Sequence, residues 1–249
     1  MPIPSPPTIP DRRCRVAALV PAAGRGIRMG GAVAKQFLTL GDQPLLLHSL
    51  RVLQASAAIH EIILAVPERE RRYCLDQIVA PHGISKVHKI VAGGEQRQDS
   101  VRHALAEVSP DTDIVLVHDA VRPFLTNEMI EHVVGQAALH GAAIIALPMK
   151  DTVKQVGPDG IIERTVDRRP LWLAQTPQAF RRTWLEEAHE KALVNGIHAT
   201  DDAHLVELLG RPVVVVEGSG DNIKVTRPED LDIGEAILGR RAGRTRSDT

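Results

Sequence analysis

RVAALVPAAGRGIRMGGAVAKQ, residues 15–36, decides how the chain is read. Its first six residues are an apolar strand candidate. The loop that follows has Gly24 and Gly26, which permit tight turns and close backbone approach, then a pair at Gly30 and Gly31. Arg25, Arg28 and Lys35 add three positive charges, and the loop contains no acid. A strand that runs into a glycine-rich cationic loop implies an anion held at a strand's carboxyl end, the usual ligand position in an open α/β sheet. A solvated basic loop is the plainer alternative.

The strand–helix rhythm continues from there. EIILAV (61–66), KVHKIVA (86–92), DIVLVHDA (113–120) and AAIIALP (142–148) are strand candidates. Amphipathic stretches at 44–56, 68–79, 98–107 and 126–140 lie between or beside them. The alternation predicts an α/β protein with a mostly parallel, twisted sheet flanked by helices. At 151–166 the pattern changes to two β-branched runs around Gly-Pro-Asp-Gly, a hairpin signature. An isolated hairpin is marginal in water, so this one needs another surface, such as a second subunit. Helices at 181–195 and 201–209, a strand at 212–218 and a last helix at 228–238 complete the reading. Residues 1–14 and 239–249 read as flexible tails around one domain, 15–238, with 151–171 as an inserted arm.

Composition narrows the function classes. The 249 residues are 43% hydrophobic and 24% charged with a net charge of −1, enough apolar matter for a full core and no global field toward nucleic acid or membrane. Aromatics at 2% leave few stacking platforms for single strands. No apolar run reaches the ~20 residues of a membrane span. Cys14 and Cys74 stand far apart without a partner motif, so a reducing compartment, the cytoplasm, is expected.

Three phosphate loops compete for residues 21–36. A P-loop needs Gly-Lys-Ser/Thr after its second glycine, which is missing here. A dinucleotide fingerprint needs a third glycine where Met29 stands, and an acid about 20 residues on at a strand end. The third option is a nucleotidyltransferase loop, whose cations neutralise a triphosphate under attack.

Other stretches carry possible chemistry. Asp119 in VHDAVRPF ends a strand at the same sheet edge; it fits a metal-bridging carboxylate or, equally, a turn cap paired with Arg122. Gly93, Gly94 and Ser100 in GGEQRQDS offer backbone to a base edge, or simple helix capping. Arg168, Thr200 and Lys224 sit in polar loops that singly read as structural.

Taken in order, VPAAGRGIRM, KQF, GGEQRQDSV, VHDAVRPF, DTVKQV, TVDRRPLWLAQTPQAF, TDDAHLVE and DNIKVTRPEDL resemble the 2-C-methyl-D-erythritol 4-phosphate cytidylyltransferases across roughly 15–238. The resemblance implies a Rossmann-like nucleotidyltransferase fold. It implies transfer of cytidylyl from CTP to methylerythritol phosphate, with pyrophosphate released and magnesium as the divalent cation. Arg28 and Lys35 are then expected on the triphosphate, and Arg168 and Lys224 on the attacking phosphate. Pro21, Ala22, Ala23, Gly24, Gly93, Gly94, Glu95 and Ser100 are expected around cytidine. Asp119, Ala120, Arg122, Thr152 and Thr200 are expected on the acceptor side, with Asp119 also as metal ligand. The family's homodimers imply that the 151–171 arm embraces a partner, with Thr152 acting across the interface. Glu95 stands where many relatives carry aspartate. A ribitol-5-phosphate cytidylyltransferase is the nearest rival.

Arginine's planar fork holds two phosphate oxygens, whereas an ammonium is a point charge. Arg28→Lys is therefore expected to lower kcat about 100-fold. Steady-state kinetics at near-native kcat would contradict the assigned role.

Overall fold

A computed structural model describes residues 14–24 and 34–247. Arg28 and residues 1–13 of the expected tail 1–14 lie outside the described residues. Strand β1 (Val16–Pro21) leads through a two-stranded ribbon, β2 (Thr39–Leu40) and β3 (Gln43–Pro44), to helix α1 (Leu45–Ala55). β4 (Glu61–Val66) is followed by a helical run over 68–79 with α2 (Arg71–Tyr73) inside it. β5 (Val87–Ala92), α3 (Arg97–Leu105), β6 (Ile114–Val117), α4 (Asn127–His140) and β7 (Ala142–Pro148) continue the alternation. The hairpin is β8 (Val153–Val156) and β9 (Ile162–Val166). After it come β10 (Trp172–Arg181), α5 (Arg182–Val194), α6 (Asp202–Glu207), β11 (Val214–Glu217) and α7 (Pro228–Ser247).

Among the described residues, seven strands form one sheet in the order β11-β7-β10-β6-β1-β4-β5. β6, β1, β4 and β5 run parallel, as do β11 and β7, while β10 is antiparallel to both of its neighbours. Side chains alternate across β1. Ala18 and Val20 face a core built with Leu46 and Leu50 of α1 and Ile130 and Val133 of α4. Ala17 and Leu19 face the opposite core, with Val101 of α3, Leu185 of α5 and Val206 of α6. Both faces are covered, so the strand is apolar at every position rather than at every second one.

Two expectations change. β10 is absent from the sequence reading because Gln175, Thr176, Pro177 and Gln178 break the apolar pattern in its middle. Its register against β7 shifts between Ala174 and Gln178, and the irregularity accommodates the proline. Distant partners satisfy the buried amides: Gln175 Nε2 donates to the Ser219 carbonyl (3.2 Å) and Gln178 Nε2 to Asp201 Oδ2 (2.8 Å). The last helix does not stop at 238. It continues to Ser247, and two of its later residues are tied to the body: Arg240 pairs with Asp221 at 2.6 Å and Arg241 donates to the Phe124 carbonyl at 3.1 Å.

The hairpin forms a separate two-stranded sheet, with Val156, Ile161 and Ile162 more than half exposed. No helix among the described residues is long and apolar enough to cross a membrane.

α4 ends at Gly141, whose φ of 95° is left-handed backbone. An added Cβ there would lie 2.3 Å from the Trp184 ring, which Arg181 and Arg211 flank. Gly141→Ala is expected to cost roughly 1–3 kcal/mol, read as a lower urea midpoint. An unchanged midpoint would contradict the packing.

Candidate active site

The parallel strands β1, β4, β5 and β6 all deliver their C-terminal ends to one edge of the sheet, and the chain's loops close two adjoining cavities there. Pro21, Ala22, Ala23, Gly24, Lys35, Gly94, Glu95, Ser100, Asp119, Ala120 and Lys224 all line the first. The second holds Arg122 and Thr200 beside Gln175, Thr176 and Gln178. Arg97, Asp119 and Lys224 line both and so mark the junction.

Backbone builds the first cavity. Ala22 N–H donates to the Ala65 carbonyl at 2.7 Å and Gly93 N–H to the Val66 carbonyl at 2.8 Å, which extends the sheet by one residue into each loop. The loops then touch. A Cβ on Gly93 would stand 2.1 Å from Ala23 Cβ and 2.9 Å from Ser100 Oγ, so only glycine allows this approach. Gly93 itself lies behind the cavity lining rather than in it. Ser100 Oγ accepts from Gly94 N–H and donates to the Gln96 carbonyl, both at 3.1 Å. A capping box of Gln96 and Asp99 starts α3. On the opposite wall the Lys35 stem passes Gly24, with Cε 3.5 Å from where a Cβ would sit.

The junction is electrostatic. Asp119, 6% exposed, receives Arg97 Nε on Oδ1 and Lys224 Nζ on Oδ2, each at 2.7 Å. Burial alone would raise its pKa, but the Arg97 and Lys224 charges outweigh it and hold the carboxyl far below the usual range. Arg97 also donates from Nη1 to Asp202 Oδ2 at 2.7 Å. Burial works against its charge, and the Asp202 and Asp119 carboxylates more than restore it. Arg122 does not pair with Asp119 through its side chain; Nη1 donates to the Asn222 carbonyl at 2.8 Å. The loops that carry Asp119 and Lys224 are joined by Val225 N–H donating to the Val121 carbonyl at 2.8 Å.

The expected metal role of Asp119 does not fit. Both of its oxygens are taken by cations at 2.7 Å. Among the described residues no group of three or more His, Cys, Asp or Glu is placed to hold a metal. Thr152 and Arg168 line neither cavity of this chain. Arg168 is exposed, and its guanidinium donates to the Lys150 carbonyl beside the hairpin.

Sequence reasoning missed Arg97 and Asp202. Both stand in the first turn of a helix. A cation there opposes the helix dipole and signals an acid partner. In the pair Asp201-Asp202, Asp201 is the cap, accepting from His204 N–H at 3.0 Å, which leaves Asp202 for another role.

A sheet-edge cavity with glycine-rich walls, and a buried carboxylate aligning two cations at its mouth, defines a nucleotide-handling α/β protein. The family model of 2-C-methyl-D-erythritol 4-phosphate cytidylyltransferase matches residues 16–240. The chain is 51% identical to the enzyme of that name from Pelotomaculum thermopropionicum over 92% of this chain and 97% of the relative. It is 47% identical to that from Syntrophus aciditrophicus over 92% and 98%. Among solved structures it is similar to 4-diphosphocytidyl-2C-methyl-D-erythritol synthase from Anaerococcus prevotii, with a TM-score of 0.79, 30% identity and coverage of 91% and 99%. The Thermus thermophilus cytidylyltransferase gives 0.72 and 36%, with coverage of 89% and 97%. The chain belongs to the 2-C-methyl-D-erythritol 4-phosphate cytidylyltransferase family.

His118 underpins the Asp119 loop. Its Nε2–H donates to the Arg122 carbonyl at 3.1 Å, and its Nδ1 accepts from the Thr176 hydroxyl at 3.2 Å. The same hydroxyl oxygen accepts Asp119 N–H at 3.0 Å. This arrangement needs neutral imidazole, and burial pushes the pKa down from 6.5 to about 4. Below 6.5 the unfolded chain binds a proton that the folded one refuses, so this contribution is complete above pH 6.5 and fades as pH falls toward 4. The urea midpoint is expected to drop across that window, and less so in His118→Gln. A midpoint flat from pH 6.5 to 4 would contradict a buried neutral His118.

Proposed function

We propose that this protein transfers the cytidylyl group of CTP to 2-C-methyl-D-erythritol 4-phosphate, releasing pyrophosphate, in isoprenoid precursor biosynthesis. The observation that carries this reading is the junction, where a glycine-walled nucleotide cavity and an acceptor cavity meet at Lys224 and Asp119, in a chain of this family.

Chemistry follows from that placement. Cytidine lies against the backbone of Pro21–Gly24 and Gly94, with Gly93 packed behind it. The triphosphate runs toward Lys35 and Arg28. An oxygen of the acceptor phosphate, held by Lys224, attacks the α-phosphorus in line. A new phosphorus–oxygen bond forms as the bond to the β-phosphate bridging oxygen breaks, and that oxygen leaves with pyrophosphate. Fixed cations act most strongly where charge builds up in the transition state. Arg122 and Thr200 line the acceptor cavity and orient the polyol. The described residues offer no ligand set for magnesium, so the cation is proposed to enter with the triphosphate. The working form is proposed to be a homodimer: the exposed Val156, Ile161 and Ile162 need cover, and the arm would bring Thr152 and Arg168 to the partner's acceptor cavity. A cytoplasmic location is supported by Cys14 and Cys74, both free thiols.

Two measurements test this. Pyrophosphate release is expected with CTP well above ATP, GTP and UTP, and with methylerythritol phosphate well above ribitol 5-phosphate. Preference for ribitol 5-phosphate would overturn the acceptor assignment. Mixing inactive Arg168→Ala with inactive Lys35→Ala protein is expected to restore part of the activity, because mixed dimers contain one intact site. No recovery would contradict a shared site.

A further inference from the structure

Behind the junction the charge does not end at Arg97. Asp202, 1% exposed, presents Oδ2 to Arg97 Nη1 at 2.7 Å and Oδ1 to His189 Nε2 at 2.9 Å. His189 on α5 is 2% exposed. A line of side chains thus runs His189–Asp202–Arg97–Asp119–Lys224, every link at 2.7–2.9 Å. It joins α5, α6 and α3 to the two loops that meet at the cavities. A carboxylate accepts only, so His189 Nε2 carries the proton toward Asp202.

Stability does not explain this arrangement. Buried ion pairs lose much of their attraction to desolvation, and apolar residues of similar volume often serve folding as well. Helix capping does not explain it either, because Asp201 caps α6. What the line does is restrict geometry. Arg97 has a fixed fork: with Nη1 held by Asp202, its Nε meets one Asp119 oxygen, which turns the other oxygen to the Lys224 ammonium. Lys224 is 39% exposed in its side chain and faces both cavities.

We infer that Asp202, itself held by His189, is a positioning residue for the transfer: it locks Arg97, and through Arg97 and Asp119 it aims Lys224 at the acceptor phosphate. The inference rests on the cytidylyl-transfer reading. It assigns Asp202 and His189 no contact with substrate, and it predicts an effect on the acceptor side that leaves the cytidine wall alone.

Pyrophosphate release from CTP and methylerythritol phosphate by the full-length protein tests it. Asp202→Asn keeps the shape but removes the negative charge that holds Arg97, whichever way its amide turns. It is expected to lower kcat/KM for the acceptor about 10-fold, the scale on which outer partners orient a working side chain, while the KM for CTP moves less than about 3-fold. His189→Leu is expected to behave like Asp202→Asn. His189→Gln, with an amide N–H near the position of Nε2, is expected to stay close to the wild type. Asp119→Asn with Asp202→Asn is expected to be no slower than Asp119→Asn alone, since both act through one line. A purely structural role would lower the melting temperature and leave the acceptor and CTP constants of the folded enzyme alike. Wild-type protein without substrate-dependent pyrophosphate release would overturn the functional reading itself. An active wild type, with unchanged acceptor kcat/KM in both Asp202→Asn and His189→Leu, would overturn the positioning role. If Asp202→Asn does not fold, the His189 pair decides: equal acceptor kinetics in Leu and Gln variants overturn the inference.

Discussion

Asp119 is a buried carboxylate with a cation on each oxygen, and the site depends on it. Alone in that position an ionised acid would carry a desolvation cost of several kcal/mol. Arg97 and Lys224 at 2.7 Å make the charge tenable, and in return the carboxylate fixes both cations before any substrate arrives. Lys224 therefore waits at the mouth of two cavities without having to be ordered during the reaction, the kind of preorganisation on which electrostatic catalysis relies.

The fold is arranged to bring those partners together from distant parts of the chain. Parallel strands β1, β4, β5 and β6 place the Pro21–Gly24 loop, the Gly93–Gly94 loop and Asp119 on one edge, as an open α/β sheet does. Antiparallel β10 brings Thr176 beside β6, where its hydroxyl takes the Asp119 amide and meets the neutral His118 ring. The irregularity in β10, costly for a strand, leaves Gln175 and Gln178 free to tie down the loops at Ser219 and Asp201. Sheet architecture and site electrostatics are thus joined through a few buried polar side chains.

Much of this was legible in the sequence, for physical reasons. Strands covered on both faces read as unbroken apolar runs, so β1, β4, β6 and β7 stood out. Loops immediately after such runs share one edge in a parallel sheet, which put Gly24 and Asp119 near one another; the grouping of Gly94 and Ser100 with them came from the family resemblance. β10 was not legible, because its central residues are polar and their partners lie far away in sequence. Arg97 and Asp202 were hidden for the same reason: they are 105 residues apart, and each reads locally as an ordinary helix start. The metal role expected of Asp119 came from an acid at a strand end; what sequence does not show is that Arg97 and Lys224 each meet one of its oxygens. Within one chain, Thr152 and Arg168 stay outside both cavities, so their proposed place in the site depends on the proposed dimer.

The most direct test of the account is the turnover of Asp119→Asn, measured together with calorimetric CTP binding. The amide keeps the shape of the carboxylate and removes its charge, so Arg97 and Lys224 lose their common anchor while the glycine walls stand. The account predicts CTP affinity close to the wild type and kcat lower by about 100-fold. Wild-type turnover in Asp119→Asn would contradict it.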